Sequence, residues 1–143
     1  MGIQHCNVAC LPENYTLKYY YYHYLNWSSL IYVAEDRSKS RVVGYVLASQ
    51  AEEDEKETEP RGHITSISVL RDYRRLGIAK KVMDRTHQAM REVYGLKSVT
   101  LHVRASNTAA ISLYKEKLGY DVAEVDVGYY ADGEDALLMK KIL

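Results

Sequence analysis

A basic turn that contains a glycine separates an alternating apolar segment from an amphipathic one. Residues 74–79 of this turn read RRLGIA. The first N–H groups of a helix have no partner within the helix, and the helix dipole adds positive character at that end. Gly77 has no Cβ, so the backbone can come close to a ligand there. The turn therefore predicts a phosphate site with added charge from Arg71, Lys80 and Lys81, the alternative being a solvated helix start.

The spacing within this turn narrows the kind of phosphate ligand. It differs from the G-x-x-x-x-G-K-[ST] loop of nucleoside triphosphatases. It also lacks the G-x-G-x-x-G fingerprint of dinucleotide-binding folds. Neither of these two classes is therefore supported by the sequence.

The elements around the turn predict one α+β domain over residues 1–143 with a central mixed sheet flanked by helices. Alternation and turn residues predict strands at 30–35, 42–50, 62–69, 98–103, 121–127 and 135–141. Two helices precede the strands, at 2–10 and 16–25. A third covers 78–94, ends at Gly95 and turns inward Ile78, Val82, Met83, Thr86, Ala89, Met90 and Val93. A fourth is capped by Ser106 or Asn107, runs through Leu118 and ends at Gly119.

Composition bounds the class of protein. The 143 residues carry 19 Lys plus Arg and 19 Asp plus Glu, so no overall positive field favours direct nucleic-acid binding. No apolar run reaches membrane-spanning length, and no secretory signal is recognised. Cys6 and Cys10 are one helical turn apart and have no neighbours at metal-ligand spacing. These features predict a cytosolic or nuclear protein with no metal and no membrane contact.

A family resemblance joins these observations. The basic turn resembles the acetyl-coenzyme A pyrophosphate loop of the GCN5-related N-acetyltransferase superfamily. Asn107, Ala110, Leu113, Tyr114, Gly119 and Tyr120 match the second signature of that family. Residues 11–15, 62–66 and 129–136 closely resemble the catalytic subunits of NatA-type N-terminal acetyltransferases. The resemblance covers residues 3–143 and implies the acetyltransferase fold, with the family's first strand missing from this chain.

The resemblance also assigns the cosubstrate site. Acetyl-CoA would lie along the end of the third strand and the basic turn, and Asn107 and Tyr114 would flank its pantetheine and thioester. A backbone N–H near 67–69 would hold the oxyanion of the thioester. Tyr114 would assist the departing thiolate. The residues expected to bind acetyl-CoA are Ile67, Ser68, Val69, Arg74, Arg75, Leu76, Gly77, Ile78, Ala79, Lys80, Asn107 and Tyr114.

The expected chemistry is direct transfer of an acetyl group to an N-terminal α-amine in a ternary complex. An α-amino group titrates near pH 7.7–8.0, so roughly a fifth to a third of it is already neutral, against about one lysine amine in a thousand. One carboxylate acting through water therefore suffices as base. The resemblance assigns this role to Glu13, with Tyr130, Arg104 and His102 as further catalytic residues. Each also has a structural alternative: a helix-start charge, a packed loop aromatic, a surface arginine and a structural strand histidine.

Substrate and partners follow from the same resemblance. Leu11, Pro12, Tyr15, Tyr129 and Tyr130 would form the mouth and pocket for the first substrate residues. The substrates would be protein N-termini. The complexed enzyme would prefer a small first residue, and the lone subunit would prefer an acidic one. A helical-repeat auxiliary subunit would anchor the enzyme to the ribosome.

Two other interpretations stay open from the sequence. The same fold serves lysine or small-amine acetyltransferases, which need a stronger base or a different acceptor pocket. A catalytically weak, CoA-binding interaction module is the non-enzymatic alternative. Intact Glu13, Arg104 and Tyr130 argue against the second of these.

Overall fold

The computed structural model describes residues 30–51 and 59–143. Six strands within these residues form a mixed sheet in the order β1-β2-β3-β4-β6-β5. The strands are β1 (Ile31–Asp36), β2 (Arg41–Ala51), β3 (Arg61–Val69), β4 (Ser98–Arg104), β5 (Asp121–Asp126) and β6 (Ala136–Ile142). Helix α1 (Ile78–Glu92) follows β3, and the short helix α2 (Thr108–Ser112) follows β4. The predicted order of strands and helices from residue 30 onward is confirmed, and so is the mixed α+β class.

The chain divides into two compact units, which are described separately. The described residues of the first unit are 30–49 and 65–95, and those of the second are 50–51, 59–64 and 96–143. Several predictions concern residues outside the described ones. They are the helices at 2–10 and 16–25, the absence of the family's first strand, and the site residues Leu11, Pro12, Glu13 and Tyr15. The prediction of a single domain over 1–143 stays a prediction.

The first unit is built on the β1–β2 hairpin and α1. The two strands pair antiparallel from Ile31 opposite Leu47 to Asp36 opposite Arg41, with an irregularity after Ala34. The middle of β2 is buried, and α1 packs against β1. The inward face of α1 contains Val82, Met83, Thr86, Ala89 and Met90, as its spacing predicts.

Two positions on α1 differ from the prediction. Val93 is 62% exposed and follows the last helical residue, Glu92, which lies two residues before the predicted end of the helix. His87 is buried beside Thr86 on the inward face, although it is not among the residues predicted to face inward. A 3.6-residue period places His87 next to the apolar stripe.

The second unit is built on β4, β6 and β5. Here β4 pairs parallel with the first part of β3 and antiparallel with β6, which in turn pairs antiparallel with β5. Residues 98–101 of β4 are all buried, and burial alternates only from Leu101 onward, where Val103 is buried and His102 is half-buried. Every side chain of β5 is exposed or half-buried, since this strand lies at the end of the strand order.

Helix α2 is shorter than its sequence pattern predicts. It is regular only over Thr108–Ser112 and continues as a wider π-type turn over Leu113–Lys117, where the Leu118 N–H donates to the Leu113 carbonyl (3.2 Å). Gly119 then takes a φ of +77°. The wider turn carries the only buried side chain of this segment, Tyr114.

Candidate active site

The basic turn lies in the first unit and keeps the strand–turn–helix geometry of a phosphate cradle. The Leu70 N–H donates to the Val43 carbonyl (2.7 Å), which fixes the chain as it leaves β3. Arg75 and Gly77 both have positive φ, 64° and 77°, so the backbone curls just before α1. The first helical bond runs from the Lys81 N–H to the Gly77 carbonyl (3.1 Å). The N–H groups of Ile78, Ala79 and Lys80 precede that bond and are available to an anion.

The charged side chains of this turn are exposed, and two of them contact neighbouring residues. The Arg74 Nε–H donates to the Val69 carbonyl at 2.9 Å, so its side chain folds back along the strand end. Lys80 forms an ion pair with Asp84 one helical turn later, at 2.6 Å. Arg75 and Leu76 are exposed. Open space around Gly77, where an added Cβ would meet nothing within 4 Å, leaves room for a ligand at these N–H groups.

A second contact fastens the start of the turn. Tyr73 belongs to a 3-10 turn over Arg71–Tyr73, and its hydroxyl donates to Asp36 Oδ2 at 2.5 Å. Arg41 donates to the same hydroxyl (3.4 Å) and lies 5.5 Å from the ring centroid. The pKa of Asp36 is lowered to about 2, first by the hydrogen bond from Ser38 and then by that from Tyr73. The basic turn is thereby tied to the β1–β2 hairpin.

Close packing at Gly44 positions the two segments that flank the basic turn, the end of β3 and the start of α1. An added Cβ there would lie 3.2 Å from a methyl of Ile78 and from one of Val69, and 3.3 Å from the Ser68 carbonyl oxygen. Because Gly44 has no side chain, β2 comes close to the end of β3 and to the first residue of α1. Of the predicted oxyanion segment, Ile67 is half-buried and Ser68 and Val69 are buried.

The second unit contains what we call the Arg104 cluster. It joins residues of β3, β4 and β5 with Ser106, which follows β4, and with the loop between β5 and β6. Its members are His63, His102, Arg104, Ser106, Asp126, Tyr129, Tyr130, Asp132 and Glu134.

Arg104 is the centre of this cluster. Its Nη1 donates to Asp132 Oδ2 (2.8 Å) and to Glu134 Oε2 (3.0 Å), and its guanidinium carbon lies 4.1 Å from the ring centroid of Tyr130. A cation over an aromatic ring and two carboxylates fix both the arginine and the loop. Predicted catalytic residues Arg104 and Tyr130 are thus brought into contact.

Glu134 holds the same loop to the residues after β4. It accepts hydrogen bonds from the Ser106 N–H (3.0 Å) and from the Ser106 hydroxyl. These bonds from Ser106 come first, and Arg104 second, in keeping the pKa of Glu134 below its usual range. The pKa of Asp132 is lowered mainly by the Glu134 N–H and then by Arg104. Both carboxylates are therefore ionised at neutral pH.

His102 lies next to these residues on β4. Its Nε2 is 2.8 Å from Asp126 Oδ2. Its ring stacks on Tyr129, with centroids 4.3 Å apart and planes 14° apart, and meets the edge of His63 at 5.5 Å. Predicted site residues His102 and Tyr129 are thus in direct contact, and Tyr129 also meets Tyr130 edge-on at 5.1 Å.

Sequence reasoning missed His63 and the three carboxylates of the cluster. His63 Nδ1 is 2.9 Å from the Thr100 hydroxyl, and burial, followed by the nearby His102 and Arg61, lowers its pKa to about 4. His63 is therefore neutral at physiological pH. Its signal was present in the alternation of residues 63–69, which puts His63 on the half-buried face of the strand.

The two remaining predicted residues have structural roles of their own. Asn107 caps α2, with its side-chain oxygen accepting from the Ala110 N–H (3.2 Å). Tyr114 is buried beside Tyr120, and burial raises its pKa to about 12. Tyr114 therefore keeps its proton at neutral pH and can donate a hydrogen bond. Their predicted contacts with acetyl-CoA stay predictions.

Known proteins resemble this chain in sequence and in fold. Residues 2–120 match the acetyltransferase (GNAT) family. The chain belongs to this family. It is 56% identical over 143 residues to the N-alpha-acetyltransferase daf-31 of Caenorhabditis elegans, covering 100% of this chain and 77% of that protein. It is 57% identical over 140 residues to the N-terminal acetyltransferase A complex catalytic subunit ard1 of Schizosaccharomyces pombe, covering 98% and 78%.

The GNAT fold is also found by comparison with solved structures. A chain in the crystal structure of the NatC complex bound to Gag peptide and CoA matches with a TM-score of 0.89 and 26% identity, over 99% of this chain and 89% of that one. Within the GNAT family, this chain is an acyltransferase of the N-alpha-acetyltransferase type, related to the NatA catalytic subunits. The resemblance predicted from the sequence motifs is confirmed at this level.

Two features are absent from the described residues. No helix in residues 30–51 and 59–143 is both long and apolar enough to cross a membrane. In the same residues, no group of three or more His, Cys, Asp or Glu side chains is placed to hold a metal ion.

Proposed function

We propose that this chain transfers an acetyl group from acetyl-CoA to the free N-terminal α-amine of proteins, as the catalytic subunit of a NatA-type complex. The observation that carries this proposal is the 57% identity to the ard1 catalytic subunit over 98% of the chain. We place this activity in the cytoplasm, on nascent chains, with a helical-repeat auxiliary subunit that bridges to the ribosome. The name of the fission yeast relative supports the complex, because that protein is the catalytic subunit of one.

Acetyl-CoA would lie at the basic turn of the first unit. The N–H groups of 78–80, the curled backbone at Arg75 and Gly77, and the exposed guanidinium of Arg75 fit a pyrophosphate. The thioester supplies the acetyl group and a good leaving thiolate. Tyr114, which keeps its proton at neutral pH, would donate a hydrogen bond to that thiolate.

The peptide would meet the Arg104 cluster of the second unit. Tyr129 and Tyr130 line the proposed mouth, and the ionised Asp132 and Glu134 hold Arg104 in place. A positively charged peptide N-terminus is attracted by these carboxylates, and its backbone carbonyls suit the guanidinium. Direct transfer in a ternary complex is proposed, with Glu13 acting through water as general base.

The direct test is an initial-rate assay with acetyl-CoA and three peptides. One begins with Ser, one with Asp or Glu, and the third is N-blocked with an internal Lys. We expect acetylation of the free N-termini and none of the blocked peptide. Activity on the internal lysine alone would overturn the proposal in favour of a lysine acetyltransferase. CoA binding without turnover of any peptide, even with the auxiliary subunit added, would indicate a binding module.

The base assignment has its own test. Glu13→Gln is nearly isosteric and removes the carboxylate charge. We expect kcat to fall at least tenfold across pH 6–9, since loss of a general base typically costs about 10²–10⁴-fold. A fall of less than twofold over that range would show that Glu13 is not the base.

A further inference from the structure

One ring nitrogen of His102 is left without a partner in a buried position. Its Nδ1 is buried and makes no hydrogen bond with any of the described residues, whereas its Nε2 contacts Asp126 at 2.8 Å. A buried polar atom without a partner is destabilising, because it has lost its hydrogen bond to water and gained none in return. Such an atom next to two tyrosines of the proposed peptide mouth calls for a functional explanation.

The contact with Asp126 determines which nitrogen carries the proton. An ionised carboxylate only accepts hydrogen bonds, so the Nε2 of His102 has to donate to it. A neutral imidazole carries one N–H, and the other nitrogen is then a lone-pair acceptor. The Asp126 contact therefore makes Nδ1 the basic atom of His102.

The ring itself is held on three sides. Tyr129 stacks on one face at 4.3 Å, His63 meets the ring at 5.5 Å, and Asp126 holds Nε2. These contacts come from a loop, from β3 and from the end of β5. The imidazole can therefore not turn over without breaking the stack with Tyr129 and the hydrogen bond to Asp126 together.

We propose that Asp126 is a positioning residue that holds His102 in the Nε2–H form, so that Nδ1 accepts a proton from the substrate amine during acetyl transfer. This inference rests on the proposed function and adds a second proton acceptor to it. Asp126 acts only through His102 and touches neither substrate.

Starting from the ammonium form, the nitrogen gives up two protons in the course of the reaction, so a second acceptor has a step to serve. An N-terminal ammonium loses one proton before its nitrogen attacks the thioester carbonyl carbon. The C–N bond forms, and the attacking nitrogen then carries a positive charge until it loses a second proton. The C–S bond breaks, and the thiolate takes up one proton while the other goes to solvent. Glu13 is the proposed acceptor of the first proton, and His102 Nδ1 accepts the second, directly or through one water.

The charged groups that face His102 favour this role. His63 on β3 is neutral at physiological pH because its pKa is lowered to about 4, so it does not compete for the proton. Asp126 offers one negative charge from β5, and Arg104, two residues along β4, has its charge balanced by Asp132 and Glu134. Tyr129 from the loop and Leu138, opposite on β6, add no charge at neutral pH. A proton on Nδ1 is thus stabilised by one nearby carboxylate.

The first test measures the tautomer in the full chain. Ring ¹⁵N NMR of the wild type, with His102→Gln to assign the signals, should show a protonated Nε2 and an unprotonated Nδ1 for His102 near pH 8. A protonated Nδ1 would overturn the proposal. This measurement does not depend on activity, so it decides the tautomer even if the peptide assay rejects the proposed function.

The second test measures rates in matched variants. Asp126→Asn offers both a donor and an acceptor and no longer fixes the tautomer, so kcat/KM for the peptide should fall about tenfold or more. Asp126→Glu keeps the carboxylate and should recover to within about threefold of the wild type.

The control is Glu124→Gln, an exposed carboxylate on the same strand that is opposite Leu138 in β6, as His102 is. It removes the same charge and should stay within twofold of the wild type. If Asp126→Asn behaves like Glu124→Gln at every pH, Asp126 does not position a proton acceptor. If both variants lose activity equally, the effect comes from the overall negative charge of β5, and the proposal is also wrong.

Discussion

The basic turn and the Arg104 cluster are held in place by different kinds of interaction. The turn depends on backbone: two residues with positive φ, helix-start N–H groups, and exposed charges that make few fixed contacts. The Arg104 cluster depends on side chains from distant segments, locked by ion pairs, stacked rings and hydrogen bonds. The turn should therefore be sensitive to backbone geometry and tolerant of single charges. The cluster should be sensitive to the loss of one side chain.

The largest effect is expected from Arg104→Met. This change removes the contacts with Asp132, Glu134 and the Tyr130 ring and leaves two carboxylates without their cation. We expect kcat/KM for the peptide to fall about 100-fold, which corresponds to about 2.7 kcal/mol. The KM for acetyl-CoA should stay within twofold in initial-rate assays. A comparable weakening of acetyl-CoA binding would contradict the assignment of the Arg104 cluster to the peptide.

His63 should make the second unit sensitive to acid. Its pKa is lowered to about 4 in the folded chain, against about 6.5 for an unperturbed histidine. Between these two pH values the unfolded chain binds a proton at His63 that the folded chain does not bind. The free energy of unfolding therefore decreases as the pH falls from 6.5 towards 4. The loss should approach about 3 kcal/mol, at 1.36 kcal/mol per unit.

Urea unfolding of the wild type and of His63→Gln between pH 4 and 7 measures this effect. The variant should have a flatter dependence of the free energy of unfolding on pH in that range. Parallel curves for the two proteins would mean that His63 does not carry the linkage.

Gly77→Ala tests the backbone of the basic turn. A Cβ at φ +77° strains the left-handed conformation by about 1 kcal/mol, although nothing lies within 4 Å of it. We expect the Kd for CoA, measured by calorimetry, to rise about fivefold. Gly133→Ala is the matched control, because Gly133 has a φ of +88°, the same open surroundings and a place in the loop of the Arg104 cluster. It should change peptide KM and leave CoA binding unaltered.

The smallest effect is expected from Tyr73→Phe. This variant loses the hydrogen bond to Asp36 but keeps the ring under Arg41. Because this part-buried bond helps to hold the start of the turn, we expect the KM for acetyl-CoA to rise about two- to fivefold when it is lost. Asp36→Asn and the double variant complete a cycle that measures the coupling of the two residues. Strict additivity would show that the contact does not order the turn.

The sequence predicted the strands and helices from residue 30 onward with small errors at their ends. Local rules are enough for this, since alternation, periodicity, Asn107 as a cap and glycine after a helix each act within a few residues. The errors fall where tertiary packing decides: Val93 is exposed, His87 is buried, and the end of α2 widens around the buried Tyr114.

The site was predicted to a smaller extent. The basic turn, Arg104, Tyr129, Tyr130 and His102 were all named from the sequence, and the structure brings the last four together. Asp126, Asp132, Glu134 and His63 were not named as site residues. An acidic residue in a loop has no local feature that tells whether it holds an arginine or only contacts solvent.

The sequence by itself determined the family, the order of elements from residue 30 onward and the strand–turn–helix geometry of the basic turn, because each of these depends on residues close together in the chain. Only the tertiary structure decided that Arg104 is held by Asp132 and Glu134, 28 and 30 residues away, and that His102 pairs with Asp126, 24 residues away. Strand register sets these pairs: β6 places Ala136 opposite both Arg104 and Asp126. Side chains on β4 and β5 meet because β6 pairs with both strands, and that pairing is a property of the folded sheet.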